Sequence, residues 1–411
     1  MTFITNAKKA STLGQMADSR SAWRFSKERI RYIPCAPTLS PRYLFQTPRN
    51  ETLPYPLCEK NGRFFYRARV AIFHLIRALR FQAQDTVLVP DYHSGGEVEA
   101  IRSAGANIYY YPIRKDLKPD LERLEHACRK LRPRALFTIH YLGWPQPIED
   151  LAYICRKYEM LLIEDCALSP FSKTSHGSLG TYGHYSVFCL YKTLPIPNGG
   201  ILLQNSASLE ELTHLKLRPC GLRPIAGRST DLFLEWFRSR FNRTGAALTL
   251  AKATVGRYLS AIGVESVPIG DVGFEPSHLD VGMSSICHAL LKRFDYFQIT
   301  ESRRRNYRYL HDRLSGHVNL LDKKLESGVC PIYFPILAAD KASTAKALRK
   351  RGISAIEFWN YGAFGASDHE NPDARFLRKH LLELPVHQDL DLGQLEYMVK
   401  ETKRTLSKSA Y

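Results

Sequence analysis

Between about residue 60 and residue 205 the chain alternates short apolar runs with amphipathic segments, and this alternation limits the fold more than any other feature. Residues 67–80, RARVAIFHLIRALR, bring Val70, Phe73, Ile76 and Leu79 to one helical face. TVLVPDY follows as a β-branched strand ended by Pro90. The same reasoning predicts helices at 95–103, 120–132 and 148–159. It predicts strands at 107–113, 135–143, 161–167, 184–192 and 200–205. Strands alternating with helices imply βαβ units and a mostly parallel sheet covered on both faces, an α/β fold. Ligands of such sheets sit beyond the carboxyl ends of the strands. His140, Asp165 and Lys192 all stand at or near such ends.

The remainder divides by pattern. Residues 1–50 are polar and basic, and Pro34, Pro37, Pro41 and Pro48 argue for an extended N-terminal arm. Residues 51–277 form the expected large domain, within which 222–277 is a basic, amphipathic helical insert. Residues 278–314 read as a long helix, and 330–411 as a small α+β unit, so 278–411 is the expected C-terminal domain.

Composition removes several functions. A formal charge of +18 favours contact with phosphates, anionic lipid or acidic metabolites. Yet no helix-turn-helix, zinc-finger or RNP signature accompanies it, so nucleic acid is not an expected partner. The 228–262 stretch resembles helices that lie on anionic lipid, and a peripheral membrane contact is the competing expectation there. The opening residues contain no apolar signal core, and no run of 18 apolar residues occurs, which points to the cytoplasm. Nine cysteines without a CxxC pair or Cys/His ligand spacing fit a reducing compartment and give no expectation of metal.

Lys192 follows an apolar strand and precedes the stiff loop TLPIPNGG. Alone it fits two readings, a solvated strand-end lysine or a Schiff-base lysine held over a carbonyl cofactor. Asp165 ends the apolar run Leu161, Leu162, Ile163. A carboxylate there is costly to bury unless paired, and the protonated ring nitrogen of pyridoxal phosphate is one such partner. By itself Asp165 fits a helix cap equally well.

The runs LLIEDCALSPFS and GSLGTYGHYSVFCLYKTLPIPNGGILLQN resemble the cofactor core of the DegT/DnrJ/EryC1/StrS aminotransferases. The likeness extends upstream through RARVAIFHLIRAL, DTVLVPDYHSGGEVEAIRSAGA and FTIHYLGWPQPIEDLAYICRKY. Downstream it continues through HLDVGMSSICHALLKRFDYFQITESRRRNYRYL, FPILAADKASTAKALRKRGISAIEFWN and LELPVHQDLDLGQLEYMVKETKRTL. It covers about residues 60–405, with 222–277 unmatched. The resemblance implies the aspartate aminotransferase-like fold of pyridoxal 5'-phosphate (PLP) enzymes, with a large mostly parallel-sheet domain and a small C-terminal α+β domain. It implies a homodimer that passes an amino group from an amino acid donor to an anionic, nucleotide-linked keto-sugar, in polysaccharide or secondary-metabolite biosynthesis.

Carried over by position, the resemblance makes Lys192 the catalytic Schiff-base lysine and Asp165 the partner of the ring nitrogen. Ala68 and Arg69 match a phosphate-cradling helix start. Ser94 aligns with an aromatic that covers the cofactor ring, so Tyr92 or His93 would substitute for it. Ser186 matches a phosphate-binding serine displaced by one residue. Leu168, Asn198, Asp280 and Gly282 also depart from the family pattern. They motivate the alternative of a catalytically impaired PLP-binding relative with a regulatory or structural role.

Overall fold

The computed structural model describes residues 31–206, 208–221, 225–241, 244–245, 274, 278–321, 323–360 and 371–406. Seven strands form one sheet: β1 (Gly62–Phe65), β2 (Thr86–Pro90), β3 (Asn107–Tyr111), β4 (Ala135–Ile139), β5 (Leu161–Asp165), β6 (Tyr185–Cys189) and β7 (Gly200–Gln204). Their spatial order is β1-β7-β6-β5-β4-β2-β3. The pairs from β3 across to β6 are parallel, whereas β7 runs antiparallel to both β6 and β1. Every residue of β4, β6 and β7 is buried, as expected of strands covered on both faces.

The crossover helices are Ala68–Ala78, Gly96–Ser103, Leu121–Leu131 and Ile148–Lys157. Their sequences carry their own boundaries. Asp120 caps Leu121–Leu131 by accepting the Arg123 N–H at 3.1 Å, and two basic residues occupy its last turn. Helix Ala68–Ala78 buries Val70, Ala71, Ile72, Phe73, Leu75 and Ile76 and packs on β6 and β7. Its first residues are thereby held close to the ends of both strands.

The C-terminal part pairs β8 (Tyr333–Leu337) with β9 (Leu381–Pro385) antiparallel, alongside helices Lys341–Lys350, Pro372–His380 and Leu392–Leu406. The long helix expected over 278–314 is two helices, Ser285–Leu291 and Tyr296–Leu314. The break occurs because Asp295 caps the second, accepting the Gln298 N–H at 2.9 Å. Five elements arise without a sequence expectation: the one-turn helix Arg42–Phe45 within the arm expected to be extended, β1, helix Glu210–Thr213, Pro372–His380 and β9.

Of the N-terminal arm, residues 31–50 lie among those described and pack on their own chain. Ile33 is fully buried, with its N–H on Gly352 O at 2.8 Å and its carbonyl accepting from Ser354 at 2.9 Å. Residues 225–241 of the basic insert form a helix. Most of 242–277 lies outside the described residues.

One buried cation ties the C-terminal part to the lysine loop. Arg303 donates to Thr193 O at 3.1 Å, Pro331 O at 3.3 Å, Ile332 O at 3.2 Å and Gln388 Oε1 at 3.0 Å. Arg303→Met keeps the apolar stem but takes this donor from the buried Pro331 and Ile332 carbonyls and cuts the ties to Thr193 O and Gln388. We expect a loss of about 3–5 kcal/mol of stability, read by urea unfolding.

Candidate active site

The ends of β4, β5 and β6 and the start of helix Ala68–Ala78 open onto one cavity. Lys192 lies in it, ending the short turn Leu190–Lys192 that follows β6. Its ammonium stands 5.9 Å from the centre of the Phe358 ring. Asp165 lies in the same cavity as the last residue of β5. Its Oδ1 accepts the Ala167 N–H at 2.8 Å. Burial and the neighbouring Glu97 carboxylate push its pKa up to about 7, while Lys192 works the other way.

Ala68 and Arg69 line the same space. The cap residue of their helix, Arg67, provides no side-chain acceptor, and its first turn holds no acid. That terminus therefore keeps the positive end of its dipole for an anion. Arg67 and Arg69 add two guanidiniums beside it. The lining also holds the Asp165 and Glu97 carboxylates.

Four of the expected positions, Lys192, Asp165, Ala68 and Arg69, are thus brought together. Tyr92, His93 and Ser186 are not among the lining residues. The Tyr92 ring packs 4.9 Å from Trp359 and 5.7 Å from Tyr141, behind the cavity wall. His93 is fully buried and stacks on Tyr110 at 5.3 Å. Burial pushes its pKa down to about 4, so it is neutral at neutral pH. Ser186 lies on β6 an odd number of residues before Cys189, which lines the cavity. Side chains alternate along a strand, so Ser186 faces the opposite side with Phe188. Its hydroxyl is buried without a hydrogen-bond partner there.

Ser94 lines the cavity itself, and its N–H donates to Glu97 Oε1 at 2.8 Å while its hydroxyl donates to Glu97 Oε2. Both bonds run from Ser94 to the Glu97 carboxylate, a Ser-x-x-Glu contact just ahead of helix Gly96–Ser103 whose spacing is present in the sequence. Aromatic surface comes from Phe358 and Trp359 instead, delivered from the C-terminal part. Trp359 sits at φ 53°, a left-handed backbone position that a bulky residue adopts only when its surroundings hold it. Tyr191, Asn198 and Arg228 complete the polar lining. Leu168 also lines the cavity, whereas Asp280 is engaged with Arg218 at the surface.

His140 lies behind the site. It is fully buried, with Nε2 3.0 Å from Glu164 and Nδ1 accepting the Gln146 N–H at 3.1 Å. With Cys166 these residues form the metal-capable grouping found among the described residues. Its donor atoms are already spent, because Glu164 also accepts N–H groups from Gly180 at 2.9 Å and from Tyr182 at 2.8 Å. Among the described residues no helix is long and apolar enough to cross a membrane.

A model of the DegT/DnrJ/EryC1/StrS aminotransferase family matches residues 67–403. GDP-perosamine synthase of Escherichia coli O157:H7 is 26% identical over 151 residues, covering 36% of this chain and 41% of that protein. The dTDP-4-dehydro-2,3,6-trideoxy-D-glucose 4-aminotransferase of Saccharopolyspora spinosa is 28% identical over 194 residues, covering 45% and 49%. The chain thus spans less than half the length of these two curated relatives. Among solved structures, Helicobacter pylori PseC is an aminotransferase involved in the biosynthesis of pseudoaminic acid. It is similar in fold, with a TM-score of 0.65 over 92% of this chain and 100% of that chain at 15% identity.

Proposed function

This chain belongs to the DegT/DnrJ/EryC1/StrS aminotransferase family, and from that premise we propose that it transfers an amino group from an amino acid donor to a nucleotide-linked keto-sugar. Its fold is that of the family's PLP-dependent sugar aminotransferases. The observation that carries the proposal is the convergence of Lys192, Asp165, Ala68 and Arg69 on one cavity. The nucleotide-linked sugars in the names of the two curated relatives, GDP-perosamine for one and a dTDP-linked 4-dehydro sugar for the other, support the acceptor class. The proposal includes a homodimer in the cytoplasm, acting in polysaccharide or secondary-metabolite biosynthesis. It also divides the chain into a large cofactor domain at 51–277 and a small domain at 278–411.

The residues present fit PLP. A Cβ at Gly200 would stand 2.4 Å from Ala68 N and 2.5 Å from Arg67 C, so the strand and the helix start meet too closely for any side chain. That close approach leaves an open helix terminus, flanked by Arg67 and Arg69, that suits a phosphate. A buried Asp165 held up near pH 7 suits a cationic ring nitrogen, which would restore its charge. Gly200→Ala should push the two backbones apart. We expect about 1–3 kcal/mol of lost stability and at least a tenfold weaker cofactor affinity, read by fluorescence titration.

When bound, PLP supplies an electron sink for the carbon that carries the amino group. This chain's residues do the rest. Ala68 and Arg69 hold the phosphate, and Asp165 keeps the ring nitrogen protonated. Lys192 would supply the amine that holds the cofactor carbonyl and, once the substrate amine has freed it, the base that moves the proton at the substrate carbon. Phe358 and Trp359 exclude water from the reacting face.

The test is transfer in two halves. Loaded protein treated with L-glutamate should lose its visible absorption and release 2-oxoglutarate. Adding a dTDP- or GDP-linked 4-keto sugar should restore the absorption and yield the amino sugar. Failure of the first half with every amino donor would contradict the proposal.

A second contact, with a lipid surface through 228–262, is favoured by the exposed rings of Phe233 and Phe241 on helix 225–241. Co-sedimentation with anionic vesicles, lost on deleting 228–262, is the expected result.

A further inference from the structure

The arginines of the cavity come from two elements, and each acts electrostatically on Tyr191. Arg67 and Arg69 stand at the start of helix Ala68–Ala78, and both act electrostatically on the Tyr191 phenol. Arg228 lines the same cavity and also couples to Tyr191, but it comes from helix 225–241. Its other charged neighbours are Asp231 and Glu235, one and two turns further along that helix, and the Cys35 thiol.

The wall that carries Arg228 is built. Leu39 N–H donates to Leu232 O at 3.3 Å, and the Tyr32 hydroxyl donates to Glu235. The Arg238 guanidinium lies 3.8 Å from the centre of the Tyr32 ring. Helix 225–241 is thus fastened to the segment that contributes Ala36 to the cavity beside Arg228. Burial disfavours the Arg228 charge. A partly desolvated guanidinium turned into a cavity is costly unless an anion meets it. Asp231 and Glu235 offset part of that cost from Arg228's own helix, and the cofactor phosphate already has a seat at the helix start with Arg67 and Arg69, so the cavity face of Arg228 is left for a different anion.

We propose that Arg228, which lines the cavity from helix 225–241, binds an anionic group of the substrate. This rests on the aminotransferase reading above. Two substrates offer that chemistry, the amino donor through its carboxylate and the nucleotide-linked acceptor through its phosphates. Both are delocalised oxyanions that a planar guanidinium takes in two parallel N–H···O bonds. The basic insert then contributes to recognition inside the site.

Calorimetric titration of the cofactor-loaded protein tests this with two kinds of probe. One is 2-methyl-L-glutamate, which has the carboxylates but no α-hydrogen to lose. The others are dTDP and GDP. R228Q should weaken binding of at least one kind by about tenfold or more, with R228K retaining part of it. Loss confined to 2-methyl-L-glutamate assigns the donor carboxylate, and loss confined to the nucleotides assigns the acceptor phosphate. Loss of both assigns a shared anion seat. Cofactor affinity and thermal midpoint should stay close to wild type in R228K. If neither probe weakens in a protein with cofactor bound to Lys192, this inference falls and the aminotransferase reading stands. A parallel fall in cofactor affinity in both variants also overturns it, since Arg228 would then serve the cofactor seat or the fold. A protein that never couples cofactor to Lys192 overturns the aminotransferase reading instead.

Discussion

Lys192→Ala removes amino transfer, with kcat falling at least about a thousandfold, while the fold survives. Lys192 ends a short turn at the rim of the sheet, and its ammonium faces the Phe358 ring across the cavity. Among the described residues no set of bonds like the four of Arg303 holds its ammonium, so its loss should shift the thermal midpoint little. Two functions disappear together: the amine that bonds the cofactor carbonyl and the base that moves the substrate proton. Proton transfer by a positioned side chain alone contributes about 10²–10⁴-fold. The variant should still take up cofactor through the helix start at Ala68 and Arg69, though more weakly and without the absorption that depends on Lys192. Rescue by added methylamine would separate loss of the amine from damage to the site.

Asp165→Asn has opposite consequences for activity and for stability. In the loaded protein a neutral amide cannot hold the ring nitrogen protonated. We expect kcat to fall on the order of 10²–10³-fold, the size of losing one preorganised charge partner. In the cofactor-free protein the same change relieves a cost. Burial first, and then the Glu97 charge, raise Asp165 to about 7. A folded pKa above the unfolded one means the folded state binds the proton more tightly. As pH rises from about 4 to about 7, the unfolded chain ionises while the folded chain does not, and stability falls through that window. The full cost, above pH 7, is on the order of 4 kcal/mol. Urea unfolding of cofactor-free protein should therefore show Asp165→Asn gaining on wild type by about 2–3 kcal/mol between pH 5 and pH 8. An equal difference at both pH values would contradict the assignment.

Much of this site was legible because its chemistry is carried by chain ends of regular elements. Asp165 closes an apolar strand, Lys192 ends the turn that follows one, and Ala68–Arg69 open an amphipathic helix, so local pattern alone places them near one rim. Ser186 shows where alignment by motif misleads. The two-residue period of β6 turns it away from Cys189 and the cavity, which makes parity along the strand the better guide. Glu97 was also within reach, through its Ser-x-x-Glu spacing with Ser94. Phe358, Trp359 and Arg228 were not, because they arrive from segments distant in sequence, by packing that no local period encodes. The same holds for β1, four residues whose strand character comes from pairing with β7. Pro372–His380 did carry a readable start, with Asn371 as cap and Pro372 in its first turn.

The central claim is that Lys192 bonds the cofactor within this cavity. Borohydride reduction of the protein loaded with PLP, followed by proteolysis and mass spectrometry, tests it most directly. A pyridoxyl group on Lys192, absent from Lys192→Ala, is the predicted result. An unmodified Lys192, or a label on another lysine, would contradict it.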